Sequence, residues 1–168
     1  VGVGGVNRRS PNRPFNVSYR DSFLRSVNQT QIREWLNCTD VAACPVEKPL
    51  GMANGTIPDG SITASSYRGT DTSYGPHRAR LHISGFAGAW CYESLTDKAP
   101  WIQVDFNASV HVTALITQGR RDRDTWVTKY QVAHSNEGRA WDLVNDAGKT
   151  EFTGNMDRNS LVITRFPK

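Results

Sequence analysis

An all-β fold is expected from about residue 44 onward, and three features of the sequence predict it. Val104 and Phe106 alternate with Gln103 and Asp105, and Val110, Val112, Ala114 and Ile116 alternate with His111, Thr113, Leu115 and Thr117. Alternation at period two is the pattern of a strand with one face buried. The run Val127-Thr128-Lys129-Tyr130-Gln131-Val132-Ala133 repeats it. Turn formers punctuate these runs at Pro58-Asp59-Gly60, Asn136-Glu137-Gly138 and Asp146-Ala147-Gly148. Short strands closed by regular turns indicate a sandwich or barrel.

At 168 residues, 38% hydrophobic and 21% charged, the chain has room for one domain with a core plus an extension. No stretch approaches the roughly 18 apolar residues of a membrane helix, so a soluble chain is expected. The first six residues, Val1-Gly2-Val3-Gly4-Gly5-Val6, are apolar but too short, and lack the charged flank, for a signal peptide. They also fail as a phosphate loop, because Asn7 stands where the third glycine of G-x-G-x-x-G belongs. Residues 1–43 carry Arg8, Arg9, Arg13, Arg20, Arg25 and Arg33 against Asp21, Glu34 and Asp40, with Pro11 and Pro14 near the start. They read as a basic, irregular N-terminal arm. A short helix is expected from Gln29 to Leu36, where Ile32, Trp35 and Leu36 share one side at helical spacing.

Five N-x-[ST] sequons, at Asn16, Asn28, Asn37, Asn54 and Asn107, exceed what chance places in so short a chain. They favour a secreted or cell-surface glycoprotein. Three cysteines, Cys38, Cys44 and Cys91, are an odd number, which in an oxidising compartment leaves one thiol without an internal partner.

The ordered blocks Pro49-Leu50-Gly51-Met52, Ile62-Thr63-Ala64-Ser65-Ser66, Ala79-Arg80-Leu81, Gly88-Ala89-Trp90-Cys91 and Trp101-Ile102-Gln103-Val104-Asp105-Phe106 set the pattern of the domain. They continue through Thr117-Gln118-Gly119-Arg120, Trp126-Val127-Thr128-Lys129-Tyr130 and Phe152-Thr153-Gly154-Asn155-Met156-Asp157. In order and spacing the chain resembles the discoidin family, also called the coagulation factor five/eight C-type domain, over residues 44–168. The resemblance implies a jelly-roll barrel of about eight strands with hairpin loops projecting from one end as spikes. It also implies that Cys44 would bridge to a cysteine closing the domain. No such cysteine follows, and the family's A-R-Y-[IV]-R-[IL] strand and last strand are not found after Phe166, so the domain is expected to be truncated at its C-terminus. Cys44 is then left to pair with Cys38 or Cys91, or one thiol stays free.

Catalysis finds little support. G-x-S-x-G, H-E-x-x-H and C-x-x-C are all absent, and His77, His82, His111 and His134 are scattered, so no enzyme, cofactor or metal is expected. Trp90, Trp101, Trp126 and Trp141 read first as packing residues with satisfied indoles. Trp126 is the exception because it borders a spike.

The resemblance places spikes at 68–74 and 120–125 and a third loop at 82–87. Loops on a rigid barrel are free to specialise. Arg68, Arg120, Arg121 and Arg123 offer forks for carboxylate or sulfate. Asp71 and Asp122 can accept hydrogen bonds, while Tyr74 and Trp126 offer rings. The expected function is therefore extracellular recognition or cell adhesion, binding a glycan or a matrix or cell-surface protein. The alternative for Arg120 is a structural ion pair beneath the loops. The alternative for the module is phosphatidylserine-type lipid binding, for which Phe86 is the single apolar candidate, burial of such a side chain contributing about 1.5–3 kcal/mol. A net charge of +4, much of it in the arm, suits a heparan-type polyanion or anionic lipid better than nucleic acid.

Overall fold

The computed structural model describes residues 2–3, 15–20 and 48–166. The expected helix over 29–36, the sequons at Asn28 and Asn37, and Cys38 and Cys44 lie outside them. Among the described residues there are strands and short 3-10 turns but no α-helix, which is the all-β fold the alternation predicts. The strands are β1 (Gly2–Val3), β2 (Phe15–Arg20), β3 (Ile62–Ala64), β4 (Trp101–Asp105), β5 (Ala114–Thr117), β6 (Lys129–Ser135), β7 (Asp142–Leu143), β8 (Phe152–Thr153) and β9 (Val162–Arg165).

They form two sheets. One has the order β1-β5-β9 and the other β3-β4-β2-β6-β7, with β8 also paired to β6. β3 with β4, β5 with β9, and β6 with both β7 and β8 are antiparallel. β1 runs parallel to β5. β2, from within the segment read as an irregular arm, runs parallel to β4 on one side and β6 on the other.

Why β4 forms is plain from its residues. Ile102 and Val104 are buried, while Trp101, Gln103 and Asp105 are only half-buried, so the period of two sorts one face into the core. In β6, Tyr130 and Val132 go inward in the same way. These side chains pack with Met52, Ile62, Trp90, Leu115 and Phe152 in one cluster, each large one contributing about 1.5–3 kcal/mol. The Tyr130 hydroxyl is satisfied by Thr164 Oγ1 at 2.6 Å. The turn at 146–148 closes through paired backbone bonds between Asp146 and Lys149, with Ala147 and Gly148 both at positive φ, as a tight turn of that hand requires. The run from Val110 differs from its pattern. Its ladder begins only at Ala114, which faces Arg165, and Leu115 and Thr117 are the buried pair.

Register decides where the loops go. Ala64 faces Ile102 and Lys129 faces Thr153 across antiparallel pairs, and Thr117 faces Val162. β4 and β6 both start beside the start of β2. The loops 65–100, 118–128 and 154–161 therefore emerge together at one end. The loops 51–61, 106–113 and 136–141 emerge at the other.

Candidate functional site: the loop end of the sandwich

Arg120 organises this end. It is 4% exposed, and its guanidinium donates from Nε to Asp122 Oδ1 and from Nη2 to Asp122 Oδ2, both at 2.6 Å. Nη1 reaches Cys91 Sγ at 3.6 Å, and the same group lies 5.6 Å from the centre of the Tyr74 ring. Asp122 Oδ1 also accepts the Gly88 amide at 2.9 Å. Charge-assisted bonds of this fork type are the strong ones. They hold the Asp122 carboxyl at about 2, with the Arg120 bond as the main cause and the Gly88 amide helping. Burial pushes the Cys91 thiol up to about 11 despite the lowering effect of Arg120. Cys91 is a free thiol, protonated at neutral pH and not half of a bridge.

The first spike is wired to the same cluster. Arg68 N donates to Cys91 O at 2.8 Å and Cys91 N to Tyr74 O at 3.1 Å. Asp71 Oδ1 accepts the Ser73 amide at 2.8 Å and so caps the 3-10 turn Thr72–Tyr74. Gly69 N is held by Glu93 Oε2, and the Arg68 guanidinium also lies over the Tyr74 ring. At the base, the fully buried Trp90 donates its indole N–H to Ser66 O at 2.9 Å, which is the packing role expected of it.

The 82–88 loop is built around Arg78, a residue the sequence reading did not single out. The buried Arg78 donates from Nε to Ala87 O at 3.1 Å, and from Nη2 to Ser84 O at 3.0 Å, to Ala87 O at 2.8 Å and to Gly85 O. Its guanidinium also lies 5.9 Å from the Phe86 ring centre. Gly85 and Phe86 both have positive φ, +72° and +47°. A left-handed phenylalanine is strained, and here the residue is held 83% exposed.

A further loop, 154–160, is fixed by the buried Asn155, whose Nδ2 donates to Ser160 O at 2.8 Å and Thr117 O at 3.3 Å. Asp157 Oδ1 accepts the amides of Asn159 and Ser160. Gln118 ties two loops together, accepting the His82 amide and donating to Asn159 O. Met156 and, in the loop before β4, Leu95 are 82% and 81% exposed. Neither was foreseen. The only sequence signal was an apolar residue set among turn formers, Gly154-Asn155-Met156-Asp157 and Glu93-Ser94-Leu95-Thr96.

Of the residues singled out from the sequence, Arg68, Tyr74, Arg120 and Asp122 converge on one cluster with Cys91. Arg120 has the geometry of the structural ion pair weighed against a binding role, and Asp71 spends its carboxylate inside its own turn. Trp126 is half-buried. Arg121 and Arg123 are exposed and form no ion pair among the described residues, whereas the neighbouring Asp124 meets Arg158 at 3.2 Å. Among the described residues no group of three or more His, Cys, Asp or Glu side chains is placed to hold a metal ion, and no helix is long and apolar enough to cross a membrane.

A two-sheet β fold that gathers braced polar loops and exposed apolar tips at one end defines a loop-presenting recognition domain. The chain belongs to the F5/8 type C, or discoidin, family, whose model matches residues 61–168. It is 32% identical to lactadherin of Mus musculus over 99% of this chain and 38% of that protein. To retinoschisin of Mus musculus it is 36% identical over 76% of this chain and 58% of that protein. To coagulation factor VIII of Sus scrofa it is 35% identical over 82% of this chain and 6% of that protein. The chain thus spans less than two thirds of the length of each.

Proposed function

We propose that this is an extracellular recognition and adhesion module whose loop end holds an anionic glycan or an acidic patch on a matrix or cell-surface protein. The observation that carries this reading is the pair Arg121 and Arg123, exposed and without ion pairs among the described residues, on a loop clamped from below by Arg120 and Asp122. The clamp satisfies the buried Arg120 charge internally, so the outer two guanidiniums are left to face a partner with little reorganisation. The family and the sequons at Asn54 and Asn107 support an extracellular setting. Neither catalytic motifs in the sequence nor site geometry favours an enzyme.

A second reading, docking on anionic lipid, is favoured by a specific observation. Phe86, Leu95 and Met156, all more than four-fifths exposed, sit on loops of the same end as the two arginines. Burial in acyl chains would contribute about 1.5–3 kcal/mol for each, and the arginines about 1 kcal/mol each near an anionic surface.

One comparison separates the two. The full chain is run on immobilised heparin and sedimented with phosphatidylserine and phosphatidylcholine vesicles, alongside Arg121→Ala/Arg123→Ala and Phe86→Ala/Met156→Ala. Retention on heparin lost in the arginine variant and kept in the apolar variant supports the polar site. Serine-selective sedimentation at physiological salt that disappears in the apolar variant supports lipid docking instead. Unchanged retention in the arginine variant removes Arg121 and Arg123 from the site.

A further inference from the structure

Asn54 is the only asparagine of the chain followed directly by glycine. It stands at the tip of the turn 51–57, where Asn54, Gly55 and Thr56 are all exposed. The base of that turn is pinned. Ile57 N donates to Gly51 O at 3.1 Å, and Arg80 donates to Met52 O at 2.6 Å and to Ile57 O at 2.8 Å. At the tip, Asn54 Oδ1 accepts the Thr56 amide at 3.1 Å. Gly55 has a φ of +80°, and nothing lies within 4 Å of where a Cβ on it would stand. Neither the Gly55 amide nor Asn54 Nδ2 has a hydrogen-bond partner among the described residues.

Those two free groups are the nucleophile and the leaving group of one reaction, ring closure of an asparagine side chain onto the next main-chain nitrogen. The other asparagines on the described loops have one of the two engaged. After Asn136, Asn145 and Asn159 it is the main-chain nitrogen: Glu137 N donates to Ser135 Oγ at 3.3 Å, Asp146 N to Lys149 O at 2.9 Å and Ser160 N to Asp157 Oδ1 at 2.7 Å. At Asn107 and Asn155 it is the side-chain amide, with Nδ2 of Asn107 donating to Ser61 Oγ and Nδ2 of Asn155 to Thr117 O and Ser160 O. All five are followed by a residue with a side chain, which crowds the approach to Cγ as glycine does not.

We propose that Asn54 deamidates spontaneously, through a cyclic imide formed with Gly55, wherever its sequon carries no sugar. The Gly55 nitrogen gives its proton to hydroxide and attacks Asn54 Cγ. The Cγ–Nδ2 bond then breaks, and Nδ2 leaves as ammonia with a proton taken from water. The Thr56 amide, which donates to Oδ1, stabilises the negative charge that gathers on that oxygen in the tetrahedral intermediate. Water opens the imide ring, giving aspartate by attack at Cγ or isoaspartate by attack at the main-chain carbonyl of residue 54. A sugar on Nδ2 blocks the leaving nitrogen and shields Cγ with its bulk, so the two modifications exclude each other. At this point the far end of the sandwich carries either a glycan or, with age, a carboxylate.

The test ages the full chain carrying Thr56→Ala, which removes the sequon and keeps both Asn54 and Gly55. Samples held at neutral pH and body temperature are digested, and isoaspartate is located by peptide mapping with an isoaspartate-specific methyltransferase. Isoaspartate is expected at residue 54 at least about tenfold faster than at Asn136, an activation difference of about 1.4 kcal/mol. The rate should rise with pH, because the Gly55 nitrogen must lose its proton to attack. Adding Gly55→Ala should slow it by about tenfold or more. Equal rates at residues 54 and 136, or a Gly55→Ala chain that ages as fast as its parent, overturn the proposal. A second arm follows the chain with its sequon intact, made in secreting cells. The fraction glycosylated at Asn54 should stay constant through the same ageing, and its decline at the rate of the Thr56→Ala conversion overturns the exclusive fates proposed for this residue.

Discussion

At the scale of single residues, the Arg120–Asp122 clamp braces the loop that carries the proposed binding pair, Arg121 and Arg123. Because Asp122 is held at about 2, below its ordinary 3.8, the clamp contributes fully above the unfolded value. Its contribution is lost as pH falls through the folded one. Urea midpoints of the parent and of Asp122→Asn are therefore expected to differ most above about pH 4 and to converge near about pH 2. A difference that does not shrink would assign the stability to packing. Arg120→Ala should cost about 1.5–3 kcal/mol, the range for hydrogen bonds to charged groups. Thr117 and Thr125 offer the opposite case. Both hydroxyls are buried, with no partner among the described residues, and an unmade buried bond is costly. Replacing either with valine should leave stability unchanged or raise it by up to about 1 kcal/mol, read from the same denaturation curves; a clear loss would mean the hydroxyl is bonded after all.

Elements carry the next level of argument, because the loops are held where strands end. Gly154 follows β8, donating its amide to Thr128 O at 2.7 Å while Asn155 N donates to Val127 O at 2.7 Å. A Cβ at Gly154 would press directly on the Val127 carbonyl. Gly154→Ala should cost about 1–3 kcal/mol as an overpacking change, and should speed amide exchange in 154–160 more than in β4. A variant as stable as the parent would show that β6 and this loop are not locked together. β4 and β6 were readable in advance because each buries one face of a period-two run. β5 was only half readable: Val110 and Val112 keep the alternation, but the ladder requires β9 opposite, and among the described residues the pairing runs back to Arg165 facing Ala114, with one further bond from Phe166 N to Thr113 O. β2 did carry a strand signal, Phe15, Val17 and Tyr19 alternating with Asn16, Ser18 and Arg20 behind Pro14, but the basic, proline-bearing surroundings masked it, and its parallel pairing is set by two distant neighbours. The Arg78 clamp was equally hidden. A lone arginine in a turn gives no sign that four carbonyl contacts will converge on it.

For the whole molecule, the main consequence of the topology is polarity, with the two ends of the sandwich given over to different chemistry. The exposed arginines and apolar tips of 65–100, 118–128 and 154–161 occupy one end. Asn54 and Asn107, both exposed sequon asparagines, occupy the other, where Asn107 Nδ2 donates to Ser61 Oγ at 3.1 Å. The spikes were legible from the family resemblance, but their apolar neighbours were not, because Leu95 and Met156 come from connections that only the folded register brings to that end. If recognition belongs to the loop end, glycans at the far end should be neutral and a glycan among the loops should block. Thr56→Ala and Ser109→Ala remove the two far-end sequons while keeping both asparagines, and are expected to leave heparin or vesicle binding within about twofold of the parent, an energy of about 0.4 kcal/mol. Arg123→Asn creates a sequon with Asp124 and Thr125. Expressed in secreting cells, that variant should lose binding beyond the loss caused by Arg123→Gln, which removes the same charge without adding a sugar. Mass spectrometry reports whether each site carries its glycan. If a glycosylated Arg123→Asn chain binds as well as Arg123→Gln, the partner is held elsewhere, and the loop end is a braced but unoccupied face of the barrel.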